Sequence, residues 1–174
     1  MYRSLNSIYV NIIKKENIRE SLFYATIISS TFDFRFGVFL YFCPLNMTTI
    51  NTLPTAVSLV QNRCDNASNF ISIKPWRTKP SVDNKITVCV PPLYNKYNNI
   101  NALVQFIEIH RIFGATKFVF YNMSIGQDIG HYLEFYKSQG LLDVWPWSLP
   151  RHSDVHYNGQ LAAINDCLYR YMDD

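Results

Sequence analysis

The chain has 174 residues, of which 48% are apolar and only 17% are charged, below the roughly 25% charged residues of typical soluble domains. This composition excludes an intrinsically disordered chain, which needs low hydrophobicity and high charge. The formal net charge of +3 is too small to indicate a nucleic-acid-binding surface. At about 150 residues per domain, the length predicts one domain, with or without an appendage.

The N-terminal part, residues 1–82, contains long apolar stretches without a clear period and is expected to be a leader or stem. Residues 22–42 are long enough to span a membrane and follow several basic residues, as the positive-inside rule asks. Asp33 and Arg35 would then lie near the centre of the bilayer, where each costs about 2.5–3.5 kcal/mol. The alternative is a buried hydrophobic hairpin or core strand.

Two sequence features concern the cellular compartment. The four cysteines are widely spaced, without the close pairs of a zinc site: Cys43, Cys64, Cys89 and Cys167. They are either buried free thiols or disulfide-bonded in an oxidising compartment, and the spacing does not choose among the pairings. Three sequons favour the secretory pathway and make three asparagines glycosylation candidates: Asn46, Asn66 and Asn122.

Beyond a predicted linker at 79–83, residues 83–174 form a second region in which strand and helix patterns alternate. The predicted strands are 86–90, 117–121 and 141–145, and the predicted helices are 101–113, 127–139 and 158–171. This order predicts an α/β fold with a parallel sheet and flanking helices.

The helices carry start, stop and packing signals. Asn101 is expected to cap the first helix, whereas Gly114 and Gly140 are expected to follow the first and second. The third helix has one apolar stripe of the kind that faces a core, made of Leu161, Ile164, Leu168 and Tyr171.

Ligands of parallel α/β sheets bind at the carboxyl ends of the strands, which places loops 92–99, 122–127 and 146–160 along one rim. The last loop holds His152, Asp154 and His156, which could contact a metal or a phosphate or form an ordinary polar loop. Trp145 and Trp147 could stack on a sugar or base, or could plug the sheet end. His110 is expected to be a partly exposed helix residue rather than a ligand, and His131 is expected to be solvated. The nucleotide-binding and hydrolase motifs G-x-G-x-x-G, Walker A, G-x-S-x-G and H-E-x-x-H are absent from the sequence.

Several stretches resemble glycosyltransferase family 92: V-C-V-P-P-L-Y (88–94), N-N (98–99), residues 103–125, G-L-L-D-V-W-P-W-S-L-P (140–150) and residues 156–170. The resemblance covers about half of the chain, and its motifs are long and in the right order. It implies a partial GT-A-like (Rossmann-like) parallel sheet with flanking helices, preceded by a poorly defined apolar N-terminal region.

The resemblance also implies an activity and a location. Such enzymes transfer a hexose, typically galactose, from a UDP-sugar donor to a glycan acceptor with a divalent metal such as manganese, and they are usually type II membrane proteins of the Golgi. Residues 91–97 would hold the uridine. The donor-binding residues carried over by motif position are Pro91, Tyr94, Gln160, Asn165, Asp166 and Arg170.

One departure from the family pattern limits the expected activity. The family's D-x-D-like carboxylates, which hold the metal, follow a further strand, whereas this sequence ends at Asp173-Asp174. We therefore expect an incomplete, inactive domain without the metal ligands, in which no catalytic residue is assigned. The alternatives are a non-catalytic nucleotide- or glycan-binding module of the secretory pathway and an unrelated α/β enzyme such as a methyltransferase.

Overall fold

A computed structural model describes residues 9–13, 18–21, 24–27, 39–42, 55–60, 66, 69–73, 85–149 and 155–172. The chain divides into two compact units. The first unit contains the described strands up to Ser72, and the second contains everything described from residue 85 onward. The predicted linker at 79–83 lies outside the described residues, so the domain boundary stays a prediction.

The first unit is built of antiparallel strands. They are β1 (Tyr9–Ile13), β2 (Ile18–Ser21), β3 (Tyr24–Ile27), β4 (Phe39–Phe42), β5 (Ala56–Val60) and β6 (Ile71–Ser72). Four of them form a sheet in the order β2-β1-β5-β6, and β3 pairs separately with β4. Both strands of this pair lie within residues 22–42, and the choice between a membrane span and a buried hairpin or core strand stays a prediction. Among the described residues, every helix is too short or too polar to cross a membrane.

The second unit is the predicted α/β fold. Three parallel strands, β7 (Ile86–Cys89), β8 (Ala115–Asn122) and β9 (Leu142–Pro146), lie in sequence order in one sheet. Helix α1 (Ile100–Ile112) connects β7 to β8, and α2 (Gln127–Ser138) connects β8 to β9. Helix α3 (Gln160–Tyr171) follows β9. All three strands and all three helices of the prediction are confirmed, and no end differs by more than two residues.

The central strand β8 packs a different helix layer on each of its faces, because successive side chains of a strand point to opposite sides. Phe118 and Phe120 belong to an apolar cluster with α1 and α2. The buried partners in this cluster are Leu103, Ile107, Ala115, Ile129, Leu133, Tyr136 and Leu142. Val119 and Tyr121 pack on the opposite face against α3.

The predicted ends of two helices are corrected. Helix α1 begins at Ile100 and is capped by Asn99, whose Oδ1 accepts a hydrogen bond from the Ala102 amide at 3.1 Å. Asn101 is therefore not the cap. Helix α3 begins at Gln160 rather than at residue 158, because Tyr157 and Asn158 have left-handed φ angles of 42° and 55° within a short 3-10 turn. Gly114 and Gly140 follow their helices as predicted, with φ of 94° and 72°.

Of the predicted apolar stripe of α3, Tyr171 packs against the buried cluster of the sheet, but the other three residues are exposed. Leu161, Ile164 and Leu168 are 37%, 36% and 53% exposed, whereas Ala163 and Cys167 are fully buried against the sheet. The physical reason is space: the rings of Tyr121 and Trp147 occupy that sheet face, so the helix packs through its smallest side chains. A disulfide between Cys89 and Cys167 joins β7 to α3 across this face.

Candidate functional site

The rim at the carboxyl ends of the three strands is dominated by the loop of residues 91–97, which follows β7. Backbone hydrogen bonds extend the sheet into this loop: the Leu93 amide donates to the Tyr121 carbonyl at 2.8 Å, and the Tyr97 amide donates to the Ser124 carbonyl at 3.1 Å. The main chain of the loop is thus fixed along the end of β8. Its side chains at Pro91 and Tyr94 are exposed, and Tyr94 is 53% exposed.

The tip of this loop has an unusual backbone. Asn95 and Lys96 both have left-handed φ angles, 56° and 51°. Such a conformation is tolerated by asparagine but is uncommon for lysine. The Lys96 amide donates to the Ser124 hydroxyl at 3.1 Å, which holds the turn. Because sparsely populated backbone conformations concentrate at ligand sites, the loop tip is a candidate binding element.

On the α3 face of the sheet, a buried tyrosine and an arginine engage one carboxylate. Tyr121 donates its hydroxyl hydrogen to Asp166 at 2.6 Å, and Arg170 donates two hydrogen bonds to Asp166, from Nε at 3.0 Å and from Nη2 at 2.7 Å. Burial alone would raise the pKa of Asp166, but hydrogen bonds from Arg170 and Tyr121 and the arginine charge outweigh it and lower this pKa. Burial and the bond to Asp166 raise the pKa of Tyr121.

The polar contacts continue toward the other end of α3. The Arg170 guanidinium lies 4.2 Å from the centre of the Trp145 ring, whose Nε1 donates to the Tyr171 hydroxyl at 2.9 Å. The Tyr171 hydroxyl donates to Asp143 at 2.6 Å, and Lys117 pairs with the same carboxylate at 3.1 Å. Burial, together with the bond to Asp143, raises the pKa of Tyr171 to about 12. This row of contacts fixes α3 on the sheet.

The two tryptophans after β9 have partners within the protein. Trp147 donates its Nε1 hydrogen to the Asn158 carbonyl at 2.9 Å, and its ring lies edge-to-face on Tyr121 with the centroids 5.1 Å apart. Trp145 contacts Arg170 and Tyr171, as described above. These contacts favour the alternative in which the tryptophans close the sheet end.

The structure separates the six predicted donor residues into two groups. Pro91 and Tyr94 lie on the exposed loop of the rim, and Gln160 is the first residue of α3, directly after the turn that packs on Trp147. Asn165 donates to the Leu161 carbonyl at 2.8 Å within its own helix. Asp166 and Arg170 lie together, but their side chains form an ion pair with each other. Their roles in donor binding stay predictions.

The histidines are placed by their helices and turns. His110 is half-buried: its Nδ1 is 2.7 Å from the Phe106 carbonyl oxygen, and its ring lies against Phe106. His131 is exposed on α2. His156 lies in the turn before α3 with its ring 4.2 Å from that of Tyr157. His152 and Asp154 fall outside the described residues.

The cysteine and sequon predictions are answered in part. Cys89 and Cys167 form a disulfide, which is the oxidised alternative for this pair. Cys43 and Cys64 lie outside the described residues, as does the sequon at Asn46. Asn66 is exposed, whereas Asn122 is half-buried at the end of β8.

The described residues do not fit a divalent metal. Within the described ranges, no three His, Cys, Asp or Glu side chains converge. Asp143 and Asp166, the carboxylates on the α3 face, are each held by a tyrosine hydroxyl and a cationic side chain. A metal site of hard oxygen ligands needs carboxylates that are free to coordinate.

Sequence reasoning missed the hydroxyl partners of Tyr121 and Tyr171 and the hydrogen bonds that Asn98 makes with Asp128 and Ile129 at the start of α2. The alternation of β8 was the available signal for Tyr121, because it places this tyrosine on the face opposite Phe118 and Phe120. The hydroxyl partner at Asp166 lies 45 residues away and leaves no local pattern.

The second unit is thus a parallel α/β domain whose polar loops lie at the carboxyl ends of its strands, the arrangement of a ligand-binding domain of this class. The sequence model described as glycosyltransferase family 92 matches residues 84–174, more than half of the chain. The chain therefore belongs to glycosyltransferase family 92.

Two relatives from Caenorhabditis elegans are similar to part of this chain. Beta-1,4-galactosyltransferase galt-1 is 30% identical over 96 residues, which are 53% of this chain and 23% of that protein. Glycosyltransferase family 92 protein F13G3.3 is 29% identical over 110 residues, 57% of this chain and 22% of that protein. The similarity thus spans less than a quarter of either relative. No solved structure matches the chain.

Proposed function

We propose that the second unit is the donor-binding side of a glycosyltransferase that moves a hexose from a UDP-sugar to a glycan acceptor. The observation that carries the proposal is the 91–97 loop. It is held by backbone bonds at the carboxyl ends of the strands, exposes Tyr94 and lies inside the region that matches the family. Ligands of parallel α/β sheets bind at this edge.

In this proposal the uridine lies on the loop. The exposed Tyr94 ring offers a face on which the uracil stacks, a contact worth about 1–3 kcal/mol per base. Gln160 and Asn165, on α3, would then approach the sugar or diphosphate. Asp166 and Arg170 act through their contacts with Tyr121 and Trp145, which keep α3 in place.

The donor to test first is UDP-galactose. The support is the name of one relative, beta-1,4-galactosyltransferase galt-1, together with the family match. The acceptor is proposed only as a glycan. Manganese belongs to the proposal through the family alone, because the described residues do not fit the metal.

A nucleotide titration tests the proposal directly. Calorimetry with UDP, ADP and GDP should show saturable binding of UDP to the purified chain and weaker binding of the purine nucleotides. Tyr94→Ala should weaken UDP binding about tenfold, as expected for the loss of one stacking contact of about 1.4 kcal/mol. The matched control is Tyr132→Ala, since Tyr132 is also exposed, at 41%, but lies on α2. Equal affinities of the two variants, or no binding of UDP to the wild type, would contradict the proposal.

A non-catalytic binding module is the second candidate. It is favoured by the pairing of Asp166 with Tyr121 and Arg170, which engages this carboxylate within the protein. A transfer assay with labelled UDP-galactose, manganese and a mixture of glycan acceptors can exclude the module. Label transferred to an acceptor supports the enzyme and overturns the expected inactivity of the chain, whereas UDP binding without transfer agrees with an inactive glycosyltransferase domain and with the module alike.

We also propose a location on the Golgi membrane, with the second unit in the lumen of the secretory pathway. The Cys89–Cys167 disulfide supports it, because disulfides persist in oxidising compartments, and the exposed sequon at Asn66 agrees with it. Expressed in microsomes, the chain should resist added protease and should lose mass on glycosidase treatment.

Two matched variants then locate the glycan. Asn66→Gln should remove one glycan, because Asn66 is exposed, whereas Asn122→Gln should change the mass little, because Asn122 is half-buried in β8. Protease-sensitive, unglycosylated protein would contradict both the lumenal location and a membrane anchor at residues 22–42.

A further inference from the structure

Two adjacent asparagines cap two different helices. Asn99 caps α1, as described above, through its bond from the Ala102 amide at 3.1 Å. The preceding residue, Asn98, caps α2 from outside: its Oδ1 accepts from the Ile129 amide at 3.3 Å, and its Nδ2 donates to Asp128 at 3.0 Å. The residue at the N-cap position of α2 is Gly126, which has no side chain to do this. Asn98 therefore satisfies an amide of the first turn that would otherwise lack an acceptor.

Gly126 and Asn98 fit together sterically. A Cβ atom placed on Gly126 would lie less than 3.0 Å from the Oδ1, Cγ and Cβ atoms of Asn98. The backbone of Gly126, with φ of −74° and ψ of 161°, is extended and open to any residue. Glycine is thus required at this position by the volume of the asparagine and not by its own conformation.

The contact closes the rim loop at its C-terminal end. The Gly126 amide donates to the Tyr97 carbonyl at 2.8 Å, and the amides of Tyr97 and Lys96 donate to the main chain and hydroxyl of Ser124. Asn98 follows directly and ties the same segment to the first turn of α2. The loop tip with its left-handed residues is therefore held between β7 and the Asn98 contact.

We propose that Asn98 is the positioning residue of the 91–97 loop, holding it against the start of α2 in the conformation that binds the uridine diphosphate of the donor. Its part in donor binding rests on the proposed function. Asn98 itself contacts α2 and acts on the ligand through the loop. The contacts among Asn98, Gly126 and Asp128 are called the loop latch below.

Matched asparagine variants test the latch. Asn98→Ala and Asn99→Ala each remove one helix cap, so both should lower the melting temperature by a similar amount, about 5 °C. Only Asn98→Ala frees the loop. Hydrogen exchange measures this: the amides of Lys96 and Tyr97 should exchange at least about tenfold faster in Asn98→Ala than in Asn99→Ala. The dissociation constant for UDP should rise about tenfold in Asn98→Ala and should not change in Asn99→Ala.

Glycine variants give a second matched pair. Gly126→Ala should displace Asn98 and reproduce the exchange and binding of Asn98→Ala. Gly130→Ala is the control, because a Cβ at Gly130 would meet only the Ile125 side chain, at 4.0 Å. It should leave loop exchange and UDP affinity unchanged.

Swapping the side chains of residues 98 and 128 distinguishes a specific contact between them from a general loss of stability. Asn98→Asp places two carboxylates in contact and should free the loop. Adding Asp128→Asn restores an amide–carboxylate pair and should restore slow exchange of Lys96 and Tyr97 and the affinity for UDP. Equal exchange in Asn98→Ala and Asn99→Ala, or no recovery in the double variant, overturns the latch. If the wild type binds no UDP but Lys96 and Tyr97 still exchange faster in Asn98→Ala, the latch stands and the proposed function is overturned instead.

Discussion

The two faces of the parallel sheet are closed by different interactions. On the face toward α1 and α2, large apolar side chains such as Ile107, Phe118 and Leu133 are essentially inaccessible, and packing accounts for the contact. On the face toward α3, the buried helix residues are Ala163 and Cys167, and a disulfide and two tyrosine–carboxylate bonds hold the helix. The packing of α1 and α2 should therefore be sensitive to substitutions that remove side-chain volume. The packing of α3 should be sensitive to reduction of the disulfide and to pH.

Removal of the disulfide should have the largest effect. The bridge closes a segment of 78 residues, and the chain-entropy model gives a stabilisation of about 4.5 kcal/mol for a loop of this size. The variant Cys89→Ala with Cys167→Ala should lose that free energy of unfolding, measured by urea denaturation followed by tryptophan fluorescence. A reducing agent should destabilise the wild type to a similar extent. Unchanged stability of the double variant would show that α3 is held without the bridge.

A matched pair of leucines tests the corrected orientation of α3. Leu133 in α2 is 1% exposed, whereas Leu161 in α3 is 37% exposed. Leu133→Ala should cost about 3 kcal/mol through lost burial and the cavity left behind, whereas Leu161→Ala should cost about 0.5 kcal/mol or less, as is usual at the surface. Urea denaturation of both variants measures the difference. Similar losses would mean that the apolar stripe of α3 is covered in solution.

Two tyrosines compare the same substitution on the two faces. Tyr121 donates to Asp166, a residue of α3 whose side chain is 34% exposed, and Tyr136 donates at 2.8 Å to Glu108, whose side chain is 43% exposed. Tyr121→Phe should cost about 2 kcal/mol, because it leaves a partly buried carboxylate with one donor fewer. Tyr136→Phe should cost about 1 kcal/mol, because water replaces the lost donor. The free energies of unfolding of both variants at pH 7 test this prediction. A larger loss of stability in Tyr136→Phe than in Tyr121→Phe would contradict it.

The acid dependence of stability should also arise on the α3 face. The pKa values of Asp143 and Asp166 are lowered: burial opposes the shift, and bonds from the tyrosines and their basic partners outweigh it. A carboxyl group with a lowered pKa in the folded state stabilises at neutral pH, and this stability is lost as pH falls below about 4 toward the folded-state pKa. Asp166→Asn should therefore be less stable at pH 7 and show a shallower decline between about pH 5 and 2. An unchanged slope in that variant would assign the acid sensitivity to other groups.

The order of strands and helices in the second unit was predictable because each element carries a local signal. The run ITVCV, the helical spacing from Leu103 to Ile107 and the glycines at 114 and 140 all lie within one element or at its end. The prediction that the apolar stripe of α3 faces the core failed at Leu161, Ile164 and Leu168 for a physical reason. An amphipathic pattern reflects hydrophobicity alone, whereas the packed face of α3 has room only for small side chains, at Ala163 and Cys167.

The candidate site was predictable only in outline. The rim followed from the alternation of strands and helices, and the loop at Pro91 and Tyr94 from a family resemblance. The cap of α1 could not be fixed from the sequence, because Asn98, Asn99 and Asn101 lie within four residues and each can cap a helix. The bond from Asn98 to α2 joins residues 31 positions apart, so only the folded chain reveals it.

Hydrogen exchange of the purified chain with and without saturating UDP is the most direct test of the donor-binding rim. The account predicts that UDP slows exchange in residues 91–97 and leaves the exposed C-terminal end of α1, at Ile112 and Phe113, unchanged. Protection that appears elsewhere and leaves residues 91–97 unaffected would contradict the assignment of this loop to the donor.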